Sequence, residues 1–260
     1  MPLATQDADR TGAGQFSKVP QVTFIFWLIK IFCTTLGETG GDAVTMSMNL
    51  GYIAGTAIFA AIFVVAVIAQ VKARKFYPFF YWVTIIATTT LGTTLADFAD
   101  RSLGIGYAGG SASLFVLLMA SLGVWYWSQG SIAVNTVSTP KVEMFYWVTI
   151  MFSQTLGTAL GDWTADSAGL GYGGAAAIFG SLLVLVAACH FWTKISKTAL
   201  FWMAFILTRP LGAVVGDFLD KPLAKGGLNL SRYTASATLA ILVIGCILIF
   251  PQRPEEQAER

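Results

Sequence analysis

Apolar residues dominate the chain in long unbroken runs. Residues 43–71, 76–96, 102–140, 144–161 and 233–252 contain no Asp, Glu, Lys or Arg. A bilayer core of about 30 Å takes about 20 apolar helical residues per crossing. Placing helices between the polar interruptions predicts eight spans, near 21–43, 51–71, 77–98, 106–127, 143–164, 172–193, 198–219 and 233–251. Helix is the expected element because backbone polar groups in lipid must bond internally, and no strand-like alternation runs through these segments. The expected fold class is an all-α polytopic membrane protein, with residues 21–251 forming one eight-helix transmembrane domain.

Composition agrees. Of 260 residues, 55% are hydrophobic and 12% charged, and the mean hydropathy is +0.68. Soluble domains carry about 25% charged residues, so an ordinary cytosolic enzyme and a disordered chain are excluded. A net charge of +2 gives no basic face for a nucleic-acid partner. Residues 1–20 lack an apolar core with a small-residue cleavage site and read as a disordered cytoplasmic tail. Residues 252–260 read as a second short tail. With the N-terminus inside, inner segments hold Arg10, Lys18, Lys72, Arg74, Lys75, Lys141, Lys194, Lys197, Arg253 and Arg260. Outer segments hold Arg101, Lys221, Lys225 and Arg232. The excess favours both termini in the cytoplasm.

Self-similarity is the strongest signal. Trp27, Trp82, Trp147 and Trp202 each open the pattern W-x8-L-G-x3-[GA]-D, which closes at Asp42, Asp97, Asp162 and Asp217. A tyrosine follows ten residues later in three copies, at Tyr52, Tyr107 and Tyr172, and later still, at Tyr233, in the fourth. Four two-helix repeats follow, about 21–72, 76–128, 141–193 and 197–251. Each is a hairpin of a motif helix and a Gly/Ala-rich partner. Two spans per copy make all four parallel, about an axis along the membrane normal. The tryptophans are expected in an inner interfacial belt. The Leu-Gly pairs and the runs GYIAGTA, GYAGGSA and GYGGAAA are expected to be packing surfaces.

The acidic residues carry the candidate chemistry. Glu38, Asp42, Asp97, Asp100, Asp162, Asp166, Asp217 and Asp220 all fall in the four motif segments. Separations of three, four or seven align Thr34, Glu38 and Asp42 on one helix, and Thr93, Asp97 and Asp100 on the next. Thr155, Thr158, Asp162 and Asp166 align on the third, and Arg209, Asp217 and Asp220 on the fourth. Four such stripes about one axis make a funnel of carboxylates above hydroxyls. Oxygen donors suit hard cations such as Mn²⁺, Mg²⁺ or Ca²⁺. Glu38, Asp42, Asp97, Asp162 and Asp217 are therefore the candidate metal ligands. Asp100, Asp166, Asp220, Thr34, Thr93, Thr158 and Arg209 are the candidate supporting residues. Arg209 replaces Thr34, Thr89 and Gln154 of the other copies, and an arginine at this depth needs a partner. An Arg209–Glu38 pair is predicted, with Pro210 kinking the helix beside it. His190 and the cysteines Cys33, Cys189 and Cys246 lie elsewhere, without metal spacing.

These segments, with the Gly-Tyr starts of the partner helices, resemble a bacterial family described only as uncharacterised membrane-anchored proteins. The resemblance covers about residues 18–251 and implies an eight-helix inner-membrane protein without an established substrate. The residues themselves predict a small secondary transporter or exporter of a hard cation, Mn²⁺ or a similar divalent metal, with proton exchange as an option. The alternative is a non-transporting membrane scaffold or sensor subunit whose acids staple helix ends. No certain cofactor is implied, and the metal would be substrate. The expected partners are the lipid bilayer, the small cation and a second copy of the chain, and not nucleic acid. An intramembrane enzyme is disfavoured, because the acids come as four similar copies and no Ser/His or HExxH arrangement exists.

Overall fold

The computed structural model describes residues 17–256. It contains eight long helices: α1 (Phe24–Asp42), α2 (Gly51–Lys72), α3 (Pro78–Asp97), α4 (Tyr107–Gln129), α5 (Pro140–Asp162), α6 (Gly171–Trp192), α7 (Lys197–Asp220) and α8 (Arg232–Ile249). Local chemistry sets several of the ends. The Thr23 hydroxyl caps α1 by accepting from the Phe26 N–H, and Thr139 caps α5 by accepting from Val142. Pro78 and Pro140 occupy the first turns of α3 and α5, where their missing N–H costs nothing. Gly130 closes α4 in the left-handed conformation, which glycine adopts without penalty. Six of the eight helices, all but α1 and α5, are long and apolar enough to cross a membrane.

The motif helices α1, α3, α5 and α7 form a closed ring. Each packs on two others in the order α1, α3, α5, α7 and back to α1. The Gly/Ala-rich helices sit outside it. The hairpin expectation needs correction here, because α2 packs chiefly on α3, α4 on α5, α6 on α7 and α8 on α1. Each repeat therefore lays its outer helix against the next repeat's motif helix. Beyond α1, α3 and α5 lies a π-helical turn, at Ala43–Ser47, Phe98–Ser102 and Trp163–Ser167, which carries the chain outward. The outer helices then present Ile53, Val65, Val116, Val184 and Ile241 outward, each about two-thirds exposed. Apolar exposure of this extent suits lipid and not water.

The glycine of each Leu-Gly pair closes the ring. A Cβ on Gly37 would collide with Thr89 of α3, one on Gly92 with the backbone of Gln154 in α5, one on Gly157 with Arg209 of α7, and one on Gly212 with Thr34 of α1. Each motif helix thus inserts the same repeat position into its neighbour's glycine notch, and the fourth contact returns to the first helix. One turn outward the pattern recurs, with Gly41 against Thr93, Gly161 against Ala213 and Gly216 against Glu38. Small residues let helix backbones approach this closely.

The half of the ring at the N-terminal ends of its helices is aromatic. Trp82, Trp147 and Trp202 are buried there with Phe26, Tyr81, Tyr146 and Phe205. Tyr81 and Tyr146 share a hydroxyl hydrogen bond of 2.6 Å, and Trp202 Nε1 donates to the Ile132 carbonyl. The expected interfacial belt is thus an interior cluster, and only Trp27 keeps a partly open position. The supposed tail also departs from expectation. Ser17–Pro20 is buried. Its backbone bonds to Val137 and Glu255, and Lys18 pairs with Glu143 at 2.7 Å. Residues 1–16 and 257–260 lie outside the described residues.

Gly92→Ala tests the notch directly. The added methyl would stand 2.9 Å from the Gln154 backbone, so overpacking should cost about 1–3 kcal/mol and lower the unfolding temperature in detergent. Gly123→Ala, on the exposed face of α4 with open space around it, should hold or gain about 0.5–1 kcal/mol from helix propensity.

Candidate functional site

The repeat stacks three layers of side chains toward the outer end of the ring. The deepest holds Thr34, Thr89, Gln154 and Arg209, all fully buried. Four residues further along each helix come Glu38, Thr93, Thr158 and Ala213. Four more bring Asp42, Asp97, Asp162 and Asp217, also buried. The α-helical period puts residues four apart on one face, so the closed ring forces each layer inward.

Arg209 dominates the first two layers. Its Nη2, with two protons to share, has three acceptors within reach: Glu38 Oε2 at 2.9 Å, Thr93 Oγ1 at 2.6 Å and Thr158 Oγ1. One guanidinium therefore joins groups from all three other ring helices. Its own helix contributes Ala213 to that layer. The predicted Arg209–Glu38 pair is present, and α7 continues unbroken through Pro210. Removing one member of a buried pair strands the other charge, at about 3–5 kcal/mol.

The aspartate layer is divided into two pairs. Arg101 Nε sits 2.9 Å from Asp97 and its Nη2 3.9 Å from Asp162. Lys221 Nζ bonds Asp42 Oδ2, lies 2.9 Å from Asp217 Oδ1 and 3.9 Å from Asp220. Arg232 holds Asp220 at 2.7 Å and approaches Asp42 at 3.7 Å. Arg101 and Lys221 occupy the same repeat position, each four residues past its aspartate and each reaching the next helix's aspartate. Burial alone would lower the Lys221 pKa, but the carboxylates of Asp217, Asp42 and Asp220 outweigh it and raise it. Lys221 is therefore a fixed positive charge at neutral pH.

The candidate residues divide by position. Glu38, Asp42, Asp97, Asp162, Asp217 and Asp220 share the ion-pair network. Thr93 and Thr158 bind Arg209. Thr34 bonds to the Ile31 and Thr208 carbonyls instead. Asp100 turns toward Gly110, and Asp166 is exposed. The π turns rotate these two off the inward stripe that an α-helix would have continued. Within the network, carboxylate oxygens of Glu38, Asp42 and Asp217 lie within 4.8 Å of one another, a spacing that suits a hard divalent cation with ligands at about 2.3–2.6 Å. The six carboxylates face four cations, Arg101, Arg209, Lys221 and Arg232, so acidic groups outnumber basic ones by two. Among the described residues, Asp42 Oδ1 is buried without a hydrogen-bond partner, as are Arg209 Nε and Nη1.

Two buried groups escaped the sequence reading. Lys30 stacks its Nζ 3.9 Å over Phe205 and lies 3.4 Å from Thr208 Oγ1. Its signal was a lysine inside a predicted span. Gln154 is fully buried, and its side-chain amide has no hydrogen-bond partner among the described residues. Two surface cavities, of about 430 and 830 Å³, lie between α2 and α3 and at the inner ends of α1, α6 and α7, and none of the six carboxylates lines either.

A model of a repeat of unknown function, DUF347, matches residues 25–76, 80–131, 145–196 and 200–251. The chain belongs to this family. Its four matched units coincide with the Trp-to-Asp repeats and their outer helices. No curated protein and no solved structure matches the chain.

A double-mutant cycle tests the central pair. Arg209→Met and Glu38→Met should each destabilise DUF347-repeat assembly in this chain by about 3–5 kcal/mol. The double variant should recover a large part of that loss when unfolding is followed by circular dichroism in detergent.

Proposed function

We propose that this chain is an integral membrane protein serving as a non-transporting scaffold or sensor subunit, its acids acting as staples at the outer end of the ring. In this reading all eight helices span the bilayer, including the polar α1 and α5, which the ring shields from lipid. The four repeats run in the same sense about an axis along the membrane normal. In this reading the membrane is a bacterial inner membrane, and the Lys/Arg distribution supports both termini on its cytoplasmic side. The observation that carries the reading is the counter-charge on the acid layer. Asp42, Asp97, Asp162 and Asp217 each have a basic partner, and below them Arg209 bridges the ring helices on the axis. No nucleophile–base arrangement accompanies the acids among the described residues, so the reading assigns no catalysis. The apolar outer surface offers room for a second copy of the chain.

One observation favours the transport reading as well. The network holds two more carboxylates than cations and a triad of carboxylates with cation-binding spacing. A hard divalent cation, Mn²⁺ or similar, alone or in exchange with protons, would satisfy them.

Flux separates the two. Purified chain in proteoliposomes should pass no more Mn²⁺ than empty vesicles under either a metal or a pH gradient. The variant Asp97→Asn with Asp162→Asn should unfold at lower temperature, as lost staples require, with the same absence of flux. Mn²⁺ uptake that this double variant abolishes would reverse the assignment in favour of transport.

A further inference from the structure

The fourth repeat differs from the others at its outer end. From the motif aspartate to the next tyrosine runs ten residues in three copies and sixteen in the fourth, from Asp217 to Tyr233. The added segment folds back on α7. Leu228 N–H donates to the Phe218 carbonyl, Asn229 N–H to Lys221 and Leu230 N–H to Leu219. Lys221 stands at its start with its side chain turned into the acid layer, 10% exposed.

Lys221 Nζ contacts two of the three residues whose oxygens have cation-binding spacing, Asp42 and Asp217. The third, Glu38, is held by Arg209. A second, independent feature points to a ligand. Asp42 is 1% exposed, and its Oδ1 has no partner, although a buried carboxylate oxygen left unpaired is costly. The charge count has the same sense. Six carboxylates outnumber the four cations around them, and a divalent ion in place of one ammonium would offset one carboxylate more.

We propose that Lys221 is a tethered ammonium seated in a divalent-cation site formed by Glu38, Asp42 and Asp217, and that a hard divalent cation at the outer end exchanges with it. The ion takes Asp42 Oδ1 and the oxygens Lys221 gives up, and the freed lysine moves outward with the 221–231 segment. This gives the sensor form of the proposed function its ligand and its moving part, and it rests on that reading. It requires no passage through the ring.

Mn²⁺ itself is the probe, with the full chain in nanodiscs and free Mn²⁺ counted by electron paramagnetic resonance. Lys221→Gln should bind one Mn²⁺ per chain at least about tenfold more tightly than wild type, since site charge tunes such affinities over decades. Lys225→Gln should match wild type, and adding Asp42→Asn to Lys221→Gln should abolish the gain. In the unmodified protein, saturating Mn²⁺ should raise acylation of Lys221 relative to Lys225, read by mass spectrometry. This arm does not depend on any variant folding. Equal Mn²⁺ affinity of wild type and Lys221→Gln, or Lys221 acylation unmoved by Mn²⁺, would overturn the proposal and leave the staples without a ligand. Mn²⁺ flux would instead overturn the non-transporting reading while keeping the site.

Discussion

A charge buried away from water must be matched by other groups, and Arg209 sets that demand for the whole ring. Its guanidinium needs an anion and several hydrogen-bond acceptors in a place where water is excluded. Glu38, Thr93 and Thr158 reach its Nη2 only because α1, α3 and α5 are all drawn to the same axis, and Nε and Nη1 stay without a partner among the described residues. The glycine notches make that approach feasible. Without them the ring helices would stand further apart, and one guanidinium could not reach all three partners. The packing pattern and the buried ion pair therefore depend on each other, which explains why the Gly and the inward polar positions sit at fixed intervals in every copy.

Much of this was legible in the sequence. Helix ends fell within a few residues of the polar interruptions, because caps, prolines and glycines mark them. The Arg209–Glu38 pair followed from the repeat register, since a lone arginine and a lone glutamate one turn apart in adjacent layers have no other matching charge at that depth. The partners of the outer helices were not legible. Segments such as α2 and α6 are apolar on every side, so no face of them indicates whether the neighbour is their own motif helix or the next. The burial of Trp82, Trp147 and Trp202 was missed for a related reason, since an amphipathic ring suits either an interface or an interior aromatic cluster. The π turns moved Asp100 and Asp166 off the axis, because the extra residue per turn breaks a register read at the α-helical period. The docking of Ser17–Pro20 depends on contacts with residues far along the chain, Gln70, Val71, Val137, Glu143 and Glu255, which leave no local pattern.

The four-fold design is used two-fold at its outer end. Arg101 and Lys221 neutralise adjacent aspartates in the second and fourth copies, while Met46 and Asp166 hold the same position in the first and third. The interval between the motif tryptophans, 55, 65 and 55 residues, has the same alternation. A duplicated pair that was then doubled accounts for both. The fourth copy departs further, with Arg209 below and the lengthened Lys221 segment above, so the chemistry of the site is concentrated where the symmetry is lowest.

The account stands on a ring that is closed at the level of Arg209. Its most direct test is the water accessibility of the deepest layer. In a cysteine-free background carrying Thr89→Cys, a charged, membrane-impermeant thiol reagent should leave the residue unmodified from either side of the membrane. Rapid modification from one side or both would show an open axis and contradict the closed ring.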